Sequence, residues 1–370
     1  MSRGPVGIGV IGAGVISDQY LTNLTTFPDV QVRFVADIDL DRARAQAEKY
    51  GVAGSGSVDE LLADDSVEIV VNLTIPAAHA EVAHKALDAG KHVWNEKPLT
   101  TDRESATELL AHADRAGLRV ACAPDTVLGA GIQTALRAVR EGVIGTPLSA
   151  TTMMLSPGPE SWHPNPAFLF ARGGGPLLDM GPYYLTTLVS AFGSIASVAA
   201  TGSTAFPTRT IGSGPLAGTE FPVEVPTHVG ALLRFAEGGA SAQSTFSFQS
   251  ALARQGFVEI TGTDGVLVLP DPNRFEGDTV VWRRGSDEPE TLPAVGATAG
   301  RGLGVLDLAR AIRTGGTERA SGALAAHVLD VMLSIAEAAG SDRFVDVGSR
   351  APQPDPLPAD WDPAASTDLG

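Results

Sequence analysis

The chain has 370 residues, 44% of them hydrophobic, which is enough for two domains with substantial cores. Its net charge of −17 argues against nucleic acid or an anionic membrane surface as partner and suits an enzyme acting on a small molecule. No apolar run of about 18 residues predicts a membrane span, no signal peptide opens the chain, and a single cysteine, Cys122, excludes an internal disulfide and predicts a reducing, cytoplasmic setting.

The chain opens on GIGVIGAGVIS, residues 7–17, where two glycine patterns overlap. Gly7, Gly9 and Gly12 complete G-x-G-x-x-G; Gly12 and Gly14 begin it again, with Ser17 in the third place. The fingerprint works as strand, tight turn and helix N-terminus, where backbone N–H groups meet a pyrophosphate. Too few residues precede Gly7 to build a strand, so the second frame is the working one. Val6, Ile8, Val10 and Ile11 make the strand, Gly12, Ala13 and Gly14 the turn, and Val15 and Ile16 open the helix. The next stretch, VQVRFVADIDLDRARAQAEKYG, reads as strand, acidic end and helix. Asp37 lies 23 residues after Gly14, where a carboxylate bonds the ribose hydroxyls of NAD and repels the 2′-phosphate of NADP. Its other reading is a cap for the helix that begins near Asp39. Arg42 and Arg44 fall inside that helix rather than beside Asp37, so NAD is the expected cofactor and NADP the alternative.

Strand and helix continue to alternate. EIVVNLTIP is a strand, AAHAEVAHKALDAG a helix closed by Gly90, KHVWNEKP a strand, TDRESATELLAHADRAG a helix closed by Gly117, and LRVACAP a strand that buries Cys122. Alternation of this kind predicts a parallel sheet with helices on both faces, whose ligands sit outside the carboxyl ends of the strands. The loops that carry Gly12 to Ile16, Asp37, Thr74, Ile75 and Pro76, and Glu96 and Lys97 are therefore expected to converge on one crevice. From residue 124 a helix is followed by strand-like runs such as PLSATTMML, HVGALLRFA, ASAQSTFSFQ and GFVEITGT, which predict an antiparallel sheet with one face against helices. Two late helices, LGVLDLARAIRTG and ASGALAAHVLDVMLSIAEAAG, are expected to pack back on the body. The end is rich in proline and aspartate and reads as irregular. The expected fold is α/β: a dinucleotide-binding domain over residues 1–123, an α+β domain with an open, mostly antiparallel sheet over 124–345, and a tail over 346–370.

Two clusters carry chemistry. Lysine is scarce, with only Lys49, Lys85, Lys91 and Lys97 against 22 arginines, so Lys97 in NEKPLT, directly after a strand, suggests a need for ammonium chemistry. The second cluster is GGGPLLDMGPYYLT, residues 173–186. It sets Asp179 and Tyr183 four apart, on one face of a helix, after three glycines that let the backbone pass close to a ligand or another segment.

On these residues the chain resembles the Gfo/Idh/MocA oxidoreductases. The N-terminal G-x-G, the E-K-P after a strand and the later G-G-G-x-x-x-D-x-G occur in that family's order and spacing, over roughly residues 5–345. The resemblance implies a Rossmann domain joined to an open antiparallel sheet. It implies that Gly12, Gly14, Asp37, Thr74, Pro76, His79 and Glu96 surround the dinucleotide. It also implies that Lys97 and Asp179 line an active site for oxidising or reducing a sugar or cyclitol carbon. Polar substrate contacts in the family point to Asp125, just past the last Rossmann strand. Pairing through the exposed face of the second sheet implies a homodimer or homotetramer. Two positions depart from the pattern: the family's histidine four residues after the aspartate is Tyr183 here, and Thr186 replaces a second aspartate. The chain resembles a tyrosine branch of the family, in which the usual histidine-based mechanism is in question.

The chemistry can be rebuilt from the residues. Oxidising a secondary alcohol sends hydride to the nicotinamide and needs a proton acceptor within hydrogen-bond reach. Tyrosine, with a pKa of about 10, needs a neighbouring ammonium to favour its phenolate. The expected roles are Tyr183 as general base or acid, Lys97 as its electrostatic partner, and Asp179 orienting the lysine or a substrate hydroxyl. Tyr184 is the reserve candidate, and the competing reading makes both tyrosines core aromatics. Trp162 and His163, in PGPESWHPNPAFLF, read either as a substrate lid over a sugar ring or as a rigid structural loop. Seven scattered histidines and one cysteine predict no metal site, and no G-x-S-x-G suggests a serine hydrolase. The expected function is an NAD(P)-dependent sugar or cyclitol dehydrogenase. Its alternatives are an enzyme that cleaves glycosides by transient oxidation and a non-catalytic NAD-binding protein.

Overall fold

The computed structural model describes residues 4–341 and 343–367; the outermost three residues of the expected first domain and of the expected tail lie outside the described residues. In chain order the first elements are β1 (Val6–Ile11), α1 (Val15–Leu24), β2 (Val30–Ala36), α2 (Leu40–Tyr50), β3 (Gly54–Gly56), α3 (Val58–Leu62), β4 (Ile69–Asn72), α4 (His79–Asp88), β5 (His92–Asn95), α5 (Arg103–Ala116), β6 (Val120–Cys122) and α6 (Ala130–Arg140). Then come β7 (Pro147–Leu155), α7 (Gly175–Phe192), β8 (Ile195–Ser203), β9 (Thr208–Thr210), β10 (Glu220–Pro222), β11 (His228–Phe235), β12 (Ser241–Ser247), β13 (Arg254–Gly262), β14 (Gly265–Leu269), β15 (Thr279–Arg283) and β16 (Glu290–Leu292). The chain ends with α8 (Leu303–Thr314), α9 (Gly322–Ala338) and β17 (Val345–Asp346). Among the described residues no helix is long and apolar enough to cross a membrane.

Two compact units form, and neither is continuous in sequence. One gathers Met1–Gln133, Val295–Ala326 and Pro354–Gly370; the other gathers Thr134–Ala294 and His327–Gln353. The expected division at residues 123 and 345 differs because α8 and the tail return to the first unit. The tail is irregular, yet it is anchored. Arg310 on α8 donates to the Asp29 carboxylate at 2.8 Å and to the carbonyls of Asp362 and Ala365 at 3.0 and 2.7 Å, and its guanidinium lies over the Trp361 ring.

In the first unit six parallel strands run in the order β3-β2-β1-β4-β5-β6. Helices on both faces require the central strands to be apolar throughout, and every residue of β1 and β4 is buried. The helix ends follow local chemistry. Asp39 caps α2 by accepting from the Arg42 N–H, Ser57 and Glu60 form a capping box on α3, and Asp102 caps α5 through the Ser105 N–H. Because Asp39 does the capping, Asp37 is released from the competing role it had in the sequence. Strand order reverses direction between β1 and β4, which is where a doubly wound sheet opens its ligand crevice.

The second unit is a nine-stranded sheet in the order β16-β15-β14-β13-β7-β12-β11-β8-β17. It is mostly antiparallel, as the alternating patterns predict; β7 and β12 alone among its neighbours run parallel. A parallel pair needs a long crossover, and here the chain passes through α7, β8 and β11 between the two partners. The helix α7 covers the inner face, where Tyr184 packs edge-on against Phe246 and Phe192 stacks on Phe235. The outer face is left open, with Leu232 between Gln243 and Ala199 in register.

His327 on α9 is a buried polar joint of this unit. Its Nε2 accepts from the Ile195 N–H at 3.0 Å, so the proton sits on Nδ1, facing the Ser349 hydroxyl at 2.9 Å. Burial pushes its pKa down to about 4 from an ordinary 6.5. The unfolded chain therefore binds the extra proton first, and stability is lost as pH falls from about 6.5 to 4, by up to about 3 kcal/mol. We expect His327→Gln to melt lower at pH 7 but to lose less melting temperature than the native chain between pH 7 and 4.5. An unchanged pH slope in thermal melts would remove His327 as the cause.

Candidate active site

At the end of β1 the two glycines divide the work. Gly12 has φ +105°, and a Cβ there would stand 2.8 Å from the backbone of Leu73, so the turn itself demands glycine. Gly14 has an ordinary φ of −76°, and a Cβ on it would meet nothing within 4 Å. Its missing side chain leaves open space in front of the first N–H groups of α1, a cradle that fits a pyrophosphate. Ser17, in the third-glycine position, is fully buried: its hydroxyl donates to the Gly14 carbonyl at 2.6 Å and accepts from Gln46. Asp37 ties the strand ends together by accepting from the Ala13 N–H at 2.7 Å and the Asp39 N–H at 2.9 Å. Arg42, inside α2, comes within 3.9 Å of the same carboxylate, nearer than its place in the sequence suggests. Three apolar side chains at strand ends stand in solvent, Val15 at 89%, Ile38 at 97% and Ile75 at 70% exposure. Exposure of that kind at the mouth of a doubly wound sheet fits the flat faces of a dinucleotide. Ile38 was not among the expected residues; its signal was a lone apolar side chain between two aspartates.

Lys97 follows β5 on a turn fixed from beneath. Asn95 Nδ2 donates to the Leu99 carbonyl at 3.1 Å, and Asn72 Nδ2 donates to Asn95 Oδ1 at 2.9 Å. Asn72 Oδ1 also accepts from the Thr74 hydroxyl at 2.6 Å. His79 is fully buried, with Nδ1 2.6 Å from the Pro98 carbonyl and Nε2 3.1 Å from that of Thr74. Burial holds its pKa below the ordinary imidazole value. The ring thus joins the Thr74 loop to the turn of Lys97 from inside the unit. Glu96 is likewise buried, and its Oε2 accepts from the Lys97 N–H at 2.9 Å.

In the second unit Asp179 and Tyr183 sit one turn apart near the start of α7, Asp179 half-buried and Tyr183 buried. The preceding glycines serve the loop that carries Trp162 and His163. A Cβ on Gly174 would stand 2.7 Å from the Phe168 carbonyl, so loop and helix start can touch only through glycine. That loop is pinned by Arg209, which pairs with the Glu160 carboxylate and donates to the carbonyls of Pro157 at 3.2 Å and Phe248 at 3.0 Å. Trp162 stands 67% exposed at its tip, with His163 set edge-on to both Trp162 and Phe168. His163 Nδ1 accepts from the Asn165 N–H, which leaves Nε2 as a hydrogen-bond donor.

Two expectations are corrected by burial. Asp125 is fully buried and accepts from the N–H groups of Gly302 at 2.7 Å and Gly304 at 3.4 Å, with Arg301 at 3.4 Å. It therefore anchors the start of α8, a structural job instead of the expected substrate contact. Tyr184 is fully buried, its hydroxyl accepts from the Gly256 N–H at 2.8 Å, and burial pushes its phenol well up. That removes it as a reserve base and makes it a core aromatic.

The arrangement was compared with known proteins. The profile described as "Oxidoreductase family, NAD-binding Rossmann fold" matches residues 6–123, and the profile of the GFO/IDH/MocA C-terminal domain matches residues 132–268. The chain belongs to the Gfo/Idh/MocA oxidoreductase family. It is similar to trans-1,2-dihydrobenzene-1,2-diol dehydrogenase of Bos taurus, 28% identical over 267 residues, 71% of this chain and 74% of that one. It is equally similar to 1,5-anhydro-D-fructose reductase of Ensifer adhaerens, 28% identical over 267 residues, 70% and 74% of the two chains. The match to an uncharacterized oxidoreductase, ORF334, of Rhizobium meliloti is 38% over 117 residues but spans only 35% of that protein. An NAD binding oxidoreductase from Klebsiella pneumoniae superposes with TM-score 0.82 at 26% identity, over 93% of this chain and 99% of the other. The chain is thus an NAD-binding oxidoreductase of this family. The alternatives of glycoside cleavage and non-catalytic binding are not favoured, since the named relatives are dehydrogenases and reductases.

The two glycines are separable by experiment. We expect Gly14→Leu to cost about 1 kcal/mol or less in stability, yet to weaken NADH binding at least about thirtyfold by filling the cradle. Gly12→Ala is expected to cost more than about 2 kcal/mol, because strain and a backbone clash coincide there. Thermal melts and NADH fluorescence titration read both. Native affinity in Gly14→Leu would sink the cradle.

Proposed function

We infer that the protein transfers hydride between NAD and a secondary alcohol or ketone carbon of a cyclic polyol, a sugar, glycoside or cyclitol. The observation that carries this is the pairing of Asp179 and Tyr183 one turn apart on α7, in a chain whose E-K-P lysine is held on a fixed turn. Bound NAD supplies the hydride acceptor. In the oxidative direction Tyr183 Oη takes the hydroxyl proton, and in the reductive direction it returns it. In this reading Lys97 supplies the ammonium that stabilises the developing alkoxide, and Asp179 orients a neighbouring substrate hydroxyl. Two relatives support the substrate class, one named for a cyclic diol and the other for an anhydro-ketose. The exposed indole of Trp162 suits the C–H face of such a ring, and His163 Nε2 suits one of its hydroxyl oxygens. The open face of the nine-stranded sheet around Leu232 is the surface on which a second copy pairs.

Reduced-nicotinamide formation, with NAD and NADP offered separately against a panel of pyranoses, glycosides and inositols, tests the activity. Tyr183→Phe is expected to lower kcat at least about 100-fold while NADH affinity stays within about threefold. Undiminished turnover in that variant would remove Tyr183 as the base. Leu232→Arg is expected to give a monomer in sedimentation, and a native assembly in that variant would move the subunit contact elsewhere.

A further inference from the structure

A buried polar chain runs beneath Lys97, and the reaction scheme does not use it. Tyr20 sits in the middle of α1 with no exposed surface. Its hydroxyl donates to Glu96 Oε1 at 2.8 Å and accepts from Trp94 Nε1 at 3.1 Å. The other carboxylate oxygen of Glu96 accepts from the main-chain N–H of Lys97 at 2.9 Å. The directions are forced: an indole N–H only donates, a carboxylate only accepts, and the phenol between them does both. Phenylalanine would fill the same space beside Trp94, so packing alone does not call for the hydroxyl. The hydroxyl is needed because Glu96 and Trp94 are both buried and would each lose a partner.

We propose that Tyr20 is a positioning residue for the reaction: through Glu96 it fixes the main chain of Lys97 against α1, the helix that starts at the dinucleotide turn. A lysine side chain has four rotatable bonds, so where its ammonium goes depends first on where its backbone is held. Tyr20 binds that backbone to the same rigid helix that receives the cofactor's phosphates. Burial and the Glu96 charge push the Tyr20 phenol well above its ordinary pKa, so it stays a donor and carries no proton away. The proposal rests on the role given to Lys97 above.

Tyr20→Phe keeps the ring and removes the hydroxyl. The Lys97 amide is expected to exchange its hydrogen at least about tenfold faster, while the amides of β1 and β2 keep their protection. The chain has only four lysines, so 13C-methylation reports the Lys97 side chain apart from Lys49, Lys85 and Lys91. Its titration midpoint is expected to move in Tyr20→Phe and the other three to stay. Glu96→Gln turns an amide NH2 against one of two donors; it is expected to give the same two changes and serves if Tyr20→Phe does not fold. Unchanged Lys97 exchange and titration in both variants overturns the proposal. Equal loss of protection across β1 and β2 also overturns it, because that is general loosening. Full turnover in Lys97→Ala is a separate result: it would sink the catalytic role of Lys97 and leave the exchange measurement standing.

Discussion

The structure depends on how the turn after β5 is held. Four buried side chains hold the stretch from Asn95 to Leu99: Asn72 on Asn95, Asn95 on the Leu99 carbonyl, His79 on the Pro98 carbonyl, and Glu96 on the Lys97 N–H. Each of these groups would be costly to bury without its partner, so the set is stable only when complete. The outcome is a lysine whose backbone has little freedom at the carboxyl end of a parallel strand.

The same logic governs the glycine turn after β1. One glycine is required by the chain itself, since only it can pass Leu73 at a positive φ. The other is required by nothing in the protein: a Cβ on Gly14 would stand in open space. Asp37, at the end of the next strand, braces that turn by accepting from the Ala13 N–H. The glycine turn, Asp37 and the lysine turn all follow strands of one parallel sheet, and that architecture is what gathers residues so distant in sequence.

The second unit organises its chemistry differently. Asp179 and Tyr183 are neighbours because a helix has 3.6 residues per turn, and no long-range contact is needed to pair them. The loop of Trp162 and His163, by contrast, is held by Arg209 from a strand more than forty residues later in the chain. Membership of the Gfo/Idh/MocA family accounts for both units together.

Local and periodic features were legible before any coordinates. The alternating strands and helices, the working glycine frame, the helix end at Gly117, and the Asp179–Tyr183 spacing all come from interactions within a few residues, and sequence carries those directly. Three kinds of feature were not legible. Short polar strands such as β9, β10 and β16 exist only because a partner strand is present. The return of α8 and the tail to the first unit depends on Arg310 finding Asp29. Burial also separated residues that look alike on paper: Asp125 and Tyr184 are chemically fit for a site and are committed to the core, while Tyr20, which looks like a core aromatic, holds the carboxylate beneath Lys97. By itself the sequence determined the alternating α/β architecture of the first unit and the mostly antiparallel sheet of the second, because periodicity is local. Only the tertiary structure decided which polar groups are buried against each other and which stay exposed, because desolvation is a property of the packed whole.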